Sequence, residues 1–431
     1  MVSDTILGPL PEDWDTATLG DACRCGGGDV QTGPFGSQLH ASDFLDDGVP
    51  SIMPQNIGEN RVLAQGIARY SRRGDVERRA LIREEQDGWL CGTGCLRVRV
   101  GAGVADPLFL SYYLGHPDVR SWIVRHAIGA TMLNLNTSIL SALPVVLPPL
   151  PEQHAIAAIL GALDDKIELN RRMKQTLEAM AQALFKSWFV DFDPVRAKAE
   201  GRRPFGMDAE TTALFPDSFE YSELGETPSG WELAPLSSVS EILSGGNPKT
   251  NVSAFWGGDI PWVSVADTVP GPYITYTQKT ITDGGVANSA AALLPPETVI
   301  ITARGTVGNT ALISKPMAIN QSCYGLVGRA EIGQLFLLHL VRDHVSRLKA
   351  AAHGSVFETI TRSTFDAVLV VRPANAAIHK FESQVRPLFD RILCNQRESA
   401  ALADIRDALL PKLLSGEIRA GEARRVAEAA F

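Results

Sequence analysis

Residues 61–83 carry seven arginines against two acids. A cationic strip this dense suits phosphate oxygens. It can act locally, because salt screens other charges beyond about 8 Å at physiological ionic strength. The setting is acidic overall: the 431 residues carry a formal net charge of −9. Much of that deficit sits in residues 191–232, where ten acids face four bases. Other chemistries lack their residues. There is no GxxxxGKS or GxxxxGKT run to cradle a nucleotide phosphate. GTG (92–94) and GAG (101–103) do not continue as GxGxxG after a strand, so a dinucleotide or S-adenosylmethionine fingerprint is missing. DPLF (106–109) lacks the second proline of an amino-methyltransferase motif, and Pro216-Asp217 has no acid-x-Lys partner for a nuclease core. Cys23/Cys25 and Cys91/Cys95 are spaced CxC and CxxxC, poor matches to the CxxC of structural zinc sites. We read them as core or loop thiols of a reducing cytosol and expect no metal. These absences describe a recognition or scaffold protein rather than an enzyme.

The elements that must position such a surface fall into blocks. The length suits about two to four domains. No apolar run approaches the ~18–20 residues that cross a membrane, and the N-terminus has no signal-peptide pattern. Residues 1–150 are rich in glycine, proline and short β-type runs, with a helix expected near 107–127 interrupted by Gly115 and Pro117. Residues 151–190 read as one long helix, with apolar positions at Leu160, Leu163, Ile167, Leu177, Leu184 and Trp188. Residues 191–230 form an acidic linker with short helical turns, and 231–375 a second mixed domain. Residues 376–431 hold a second long helix, with Val385, Leu388, Ile392, Leu402 and Leu409 in the same phase, and a charged tail.

The chain repeats itself. LDDKIELNRR (163–172) returns as LFDRILCNQR (388–397), at a constant offset of 225 residues that also relates ALPVVLPP (142–149) to AVLVVRP (367–373). One large unit is used twice, which suits pseudo-twofold symmetry. Each helix has an apolar seam but little domain of its own, so the two should pair as an antiparallel coiled coil. Asn170 and Asn395 share one seam phase, where a buried polar residue would fix register; the alternative is that both face solvent. The expected fold class is α+β: two mixed α/β domains joined by two long helices in a pseudo-twofold repeat.

These residues resemble the DNA-specificity subunit of type I restriction-modification systems, over nearly the whole chain. Residues 147–195 look like the family's central conserved region and LLPKLLSGEI (409–418) like its distal one. TGPFGSQLHASDF (32–44) with MPQNIG (53–58) looks like part of one target-recognition domain; GGDIPWVSVAD (257–267), ARGTVGNTAL (303–312) and AINQSCYGL (318–326) look like another. The resemblance implies a cytoplasmic assembly on double-stranded DNA with two methyltransferase subunits and, in complete systems, two restriction subunits. S-adenosylmethionine would belong to the methyltransferase, which modifies the adenine exocyclic amine. ATP and Mg would belong to the restriction subunit. This chain would bind no cofactor and do no chemistry. The alternative is a degenerate scaffold without DNA specificity.

On that reading each recognition domain takes one half of a split site, and the helix pair acts as a ruler. Base readout needs side chains that match base edges. In the first domain these would be Ser37, Gln38, His40, Gln55 and Asn56, with Arg69, Arg72, Arg73, Arg78 and Arg79 on phosphates. In the second they would be Lys249, Thr250, Arg304, Thr306, Asn309, Asn320 and Gln321. TVIITARGTVGNTAL (298–312) finds no good counterpart in DGWLCGTGCLRVRV (87–100), so the half-sites should differ. The second domain is near charge balance, so its affinity should lean on geometry and on the methyltransferases. Phe185, Trp188, Phe189 and Phe192 form an aromatic run expected to dock a partner.

Overall fold

The runs DWDTATL (13–19) and GWELAPL (230–236) start the two domains in the same way. Trp14 and Trp231 are buried just ahead of a strand, and Leu19 and Leu236 are buried at the start of a helix. The computed structural model describes residues 5–33, 50–62, 76, 78–92, 94–101, 103–129, 133–268, 271–352 and 359–428. In chain order the first domain holds β1 (Asp15–Thr18), α1 (Leu19–Cys25), β2 (Asp29–Thr32), β3 (Ser51–Ile52), β4 (Glu59–Asn60), β5 (Arg79–Ala80), β6 (Leu90–Cys91), β7 (Leu96–Arg99), α2 (Pro107–Tyr113), α3 (Pro117–His126), α4 (Thr137–Ser141) and β8 (Pro144–Leu147). The long helix α5 (Leu150–Phe189) follows, then α6 (Asp193–Ala199), α7 (Ala209–Ala213) and the hairpin β9 (Phe219–Ser222) with β10 (Gly225–Pro228). The second domain holds β11 (Glu232–Pro235), α8 (Leu236–Val239), β12 (Ser240–Ser244), β13 (Trp256–Val263), β14 (Tyr273–Ile274), β15 (Thr280–Ile281), α9 (Asp283–Ala287), β16 (Leu293–Leu294), β17 (Val299–Thr302), β18 (Thr310–Ile313), β19 (Met317–Ile319), β20 (Cys323–Gly328), α10 (Gln334–Asp343), α11 (Val345–Ala352), α12 (Arg362–Ala367) and β21 (Leu369–Arg372). The long helix α13 (Asn375–Ser415) and the short α14 (Ala420–Glu428) end the chain.

The single interrupted helix expected near 107–127 is two helices. Asp106 caps α2 by accepting from Phe109 N at 2.7 Å, and Pro107 fills its first turn. Pro117 then opens α3, because proline lacks only an amide that a helix start leaves unpaired anyway.

Strand pairing repeats between the domains. Antiparallel β1–β8 matches β11–β21, and β2–β7 matches β12–β20. Parallel β3–β6 matches β13–β19, and parallel β4–β5 matches β14–β18. This pairing aligns the two domains. GTGC (92–95) corresponds to NQSC (320–323) rather than to the ARGTVGN loop, since both runs join a parallel strand to an antiparallel one. Any counterpart of the ARGTVGN hairpin lies outside the described residues of the first domain.

The chain forms two compact units, Met1–Glu168 with Ala400–Phe431 and Leu169–Ser399, so each long helix gives a stretch to each unit. In the first unit Leu160 and Leu163 share a core with Leu402, Leu409 and Leu413. There Glu152 accepts from Ala420 N at 3.0 Å and Arg406 pairs with Asp164 at 2.7 Å. In the second unit Ala181 and Phe185 share a core with Phe381, Phe389 and Ile392. There Asn170 donates to Glu398 at 2.8 Å, and the Phe185 and Phe381 rings lie 5.7 Å apart. Within each unit partner numbers fall along α13 as they rise along α5, so the packing is antiparallel. Asn170 and Asn395 are each 2% exposed and face the seam, not solvent. The acidic stretch after α5 is folded: Val195, Met207 and Phe215 enter the second unit's core.

Candidate nucleic-acid interface

Loops at one rim of the second domain are tied together by backbone hydrogen bonds. Gly246 N reaches Ile319 O at 2.9 Å, Asn320 N reaches Val263 O at 2.9 Å, and Ala303 N reaches Ser322 O at 2.7 Å. The 3-10 turn Val265–Asp267 completes the frame: Asp267 accepts from Ser264 N at 2.8 Å and from Gln278 N at 2.8 Å. Gly245 is required here, because a Cβ would lie 2.1 Å from Asn320 O.

The first domain repeats part of this frame. Gly92 N reaches Ile52 O at 2.8 Å, as Asn320 N reaches Val263 O. Cys95 N reaches Gly92 O at 3.2 Å, as Cys323 N reaches Asn320 O at 3.2 Å. The turn Pro54–Asn56 stands where Val265–Asp267 does, and Asn56 accepts from Met53 N at 3.0 Å. A Cβ on Gly33 would lie 2.1 Å from Gly92 O, as one on Gly245 would strike Asn320. Both frames rest on a buried cysteine. Burial pushes the Cys95 and Cys323 thiols up to about 12, helped by Cys91 and by Asp267 respectively, so at neutral pH both are inert core thiols. Among the described residues, no group of three or more metal-ligating side chains converges.

The rim sorts the candidate readers. Lys249, Thr250, Arg304, Thr306 and Gln321 are exposed. Arg304 and Thr306 stand on the β17–β18 hairpin, where Gly305 and Gly308 adopt φ of 77° and 88°, conformations that suit glycine. The aliphatic end of Lys349 packs against Gly308 and brings a second cation to the hairpin.

Several expected readers hold hydrogen bonds within the fold. Asn56 is 2% exposed and closes its own turn. Asn309 donates to Thr268 O at 3.0 Å and to Thr306 Oγ1 at 3.2 Å, and so fixes the hairpin. Asn320 is buried and accepts from Ser322 N at 3.0 Å. Arg79 donates to Ser111 O, one of the last carbonyls of α2, and its guanidinium covers Gly115. Helix ends leave such carbonyls without intrahelical donors. Two more arginines of the strip, Arg61 and Arg83, pair with Asp165 on α5 at 2.7 and 3.5 Å. Arg78 is exposed. Gln55 is half-buried, and its Oε1 has no hydrogen-bond partner. Ser37, Gln38, His40, Arg69, Arg72 and Arg73 lie outside the described residues.

The aromatic run lies inside the fold. Phe185, Trp188, Phe189 and Phe192 are all buried within the second unit. Phe185 and Phe189 pack on Phe336 and Phe381, Trp188 on Phe215, and Phe192 on Phe219 and Trp231. Phe192 has a left-handed φ of 57°, which costs a non-glycine residue about 1–2 kcal/mol and is offset by burying the ring. The run therefore serves core packing, and sequence alone could not separate an apolar stripe facing its own core from one facing a partner.

Comparison with known proteins places this geometry. The model of the type I restriction modification DNA specificity domain matches residues 80–179 and 228–375. The HindI specificity subunit of Haemophilus influenzae is 28% identical over 460 residues, covering 94% of this chain and all of that one. The MjaIX specificity subunit of Methanocaldococcus jannaschii is 24% identical over 452 residues, covering 97% and 96%. The crystal structure of a type I restriction-modification S subunit from M. genitalium aligns with a TM-score of 0.60 at 15% identity, covering 95% of this chain and 98% of that one, which supports the fold.

Proposed function

The chain belongs to the type I restriction-modification DNA-specificity family, and we propose that it reads a bipartite, asymmetric site on double-stranded DNA and scaffolds two adenine-methyltransferase subunits. The observation that carries this reading is the duplicated rim. The two domains share one backbone hydrogen-bond frame, yet place different side chains on it. A shared frame keeps the mode of approach; different side chains meet different bases.

The chain itself supplies binding and position. S-adenosylmethionine belongs to the methyltransferase, and ATP and Mg to restriction subunits where a system has them. The helix stretches that repeat in sequence suit two copies of one partner. Exposed Lys249 and Arg304 supply phosphate-type contacts, and with a net charge of −9 the rest of the affinity comes from the assembly. No described helix is long and apolar enough to cross a membrane. A DNA-reading role suits the cytoplasm.

Methylome sequencing of cells with and without this chain tests the reading. It expects a methylated motif in two parts that disappears with the chain. No dependent motif would leave a scaffold without specificity. Methylation by the purified chain with S-adenosylmethionine alone would make it an enzyme instead.

A further inference from the structure

We propose that the two half-sites are read from different turns of the common frame, the first by Gln55 and the second by Gln321. This rests on the DNA-reading function above and names the residues and base class behind it. The 3-10 turn carries Gln55 in the first domain, where the second has Ala266 and no polar side chain. The other turn carries Asn320, Gln321 and Ser322 in the second domain, where the first has Gly92, Thr93 and Gly94 and so no carboxamide.

The amide inventory narrows the choice further. Asn56, Asn309 and Asn320 are each committed to a turn. Gln321 is exposed and makes no side-chain hydrogen bond among the described residues. The Gln55 Oε1 has no hydrogen-bond partner, so turning the half-buried carboxamide out towards a base breaks no Oε1 hydrogen bond of the fold. Among the described residues, each frame thus keeps one unspent carboxamide on these turns, and the two sit on different turns. A carboxamide offers one donor and one acceptor spaced to match adenine N6 and N7 in the major groove. Each half-site therefore contains an adenine read by a glutamine.

The test uses the full chain co-expressed with its methyltransferase, with methylomes read for wild type, Gln55→Ala and Gln321→Ala. Each variant should relax discrimination at one base pair by about 10- to 100-fold, in opposite halves of the motif. Relaxation in the same half, or unchanged base preference in either variant, overturns the proposal. A wild-type methylome with no bipartite motif overturns the DNA-reading function instead. Gln55→Leu, with its melting temperature measured, covers the risk of a collapsed turn. Relaxation at a wild-type Tm supports base contact; relaxation only in variants with a lowered Tm makes Gln55 structural and sinks the proposal.

Discussion

Arg304 and His339 show how little a residue's type says about its work. Arg304 is exposed at a glycine-bounded hairpin tip, where a guanidinium can reach phosphate or guanine. Arg304→Ala should weaken DNA binding several-fold while leaving subunit assembly intact, and should lower the salt slope of binding by about 1 if the contact is to phosphate. Unchanged affinity across a salt titration would remove Arg304 from the interface. His339 is buried among Phe185, Phe381 and Phe389. Burial first, and then the Arg342 guanidinium, hold its imidazole down at about 3 against an ordinary 6.5. The unfolded chain therefore takes the proton first. The stability tied to neutral His339 is complete above pH 6.5 and declines as pH falls from 6.5 towards 3. His339→Leu should lessen the stability lost between pH 7 and pH 5 by about 2 kcal/mol, read by urea unfolding at both values. Identical losses in wild type and variant would reject this.

On the scale of elements, α5 and α13 repeat in sequence but are not interchangeable. In the first unit Tyr112 donates to Asp164 at 2.6 Å, and Arg406 reaches the other carboxylate oxygen at 2.7 Å. Burial and the Asp164 carboxylate together raise the Tyr112 pKa, so it stays a donor. The 225-residue offset puts Phe389 where Asp164 stands and Ala181 where Arg406 stands. PLFLSYYL (107–114) against QLFLLHLV (334–341) puts His339 opposite Tyr112. One half thus uses a buried ion pair where the other uses an aromatic cluster. Arg406→Ala should cost about 3 kcal/mol, the low end for stripping a partner from a largely buried charge. Adding Asp164→Phe, so that both positions copy the second half, should restore most of that loss. Equal urea midpoints for the single and double variants would contradict the ion-pair account. The asparagine pair is equally lopsided: Asn170 donates to Glu398, while the buried Asn395 Nδ2 has no hydrogen-bond partner.

For the whole molecule, the prediction concerns length. If the two long helices set the spacing of half-sites, four residues inserted into both add about 6 Å, or about 2 base pairs of spacer. A methylome with the original spacer would end the ruler idea. Much of the plan was legible in the residues: the repeat and the two apolar seams. Periodicity and repetition are properties of residues near one another in the chain, and LDDKIELNRR against LFDRILCNQR needs no coordinates. The correspondence of the domains was not legible, because loops of unequal length hide it until parallel β3–β6 is set beside β13–β19. Nor was the fate of individual polar and aromatic groups. Asn56, Asn309, Asn320 and Arg79 carry the right chemistry for DNA, and the tryptophan and phenylalanines after Phe185 the right chemistry for a partner. Whether such a group is free to bind depends on what satisfies it inside the fold. Its hydrogen bonds and packing partners come from distant parts of the chain, so the sequence determined the two-part plan and tertiary structure alone decided which side chains remain to read DNA.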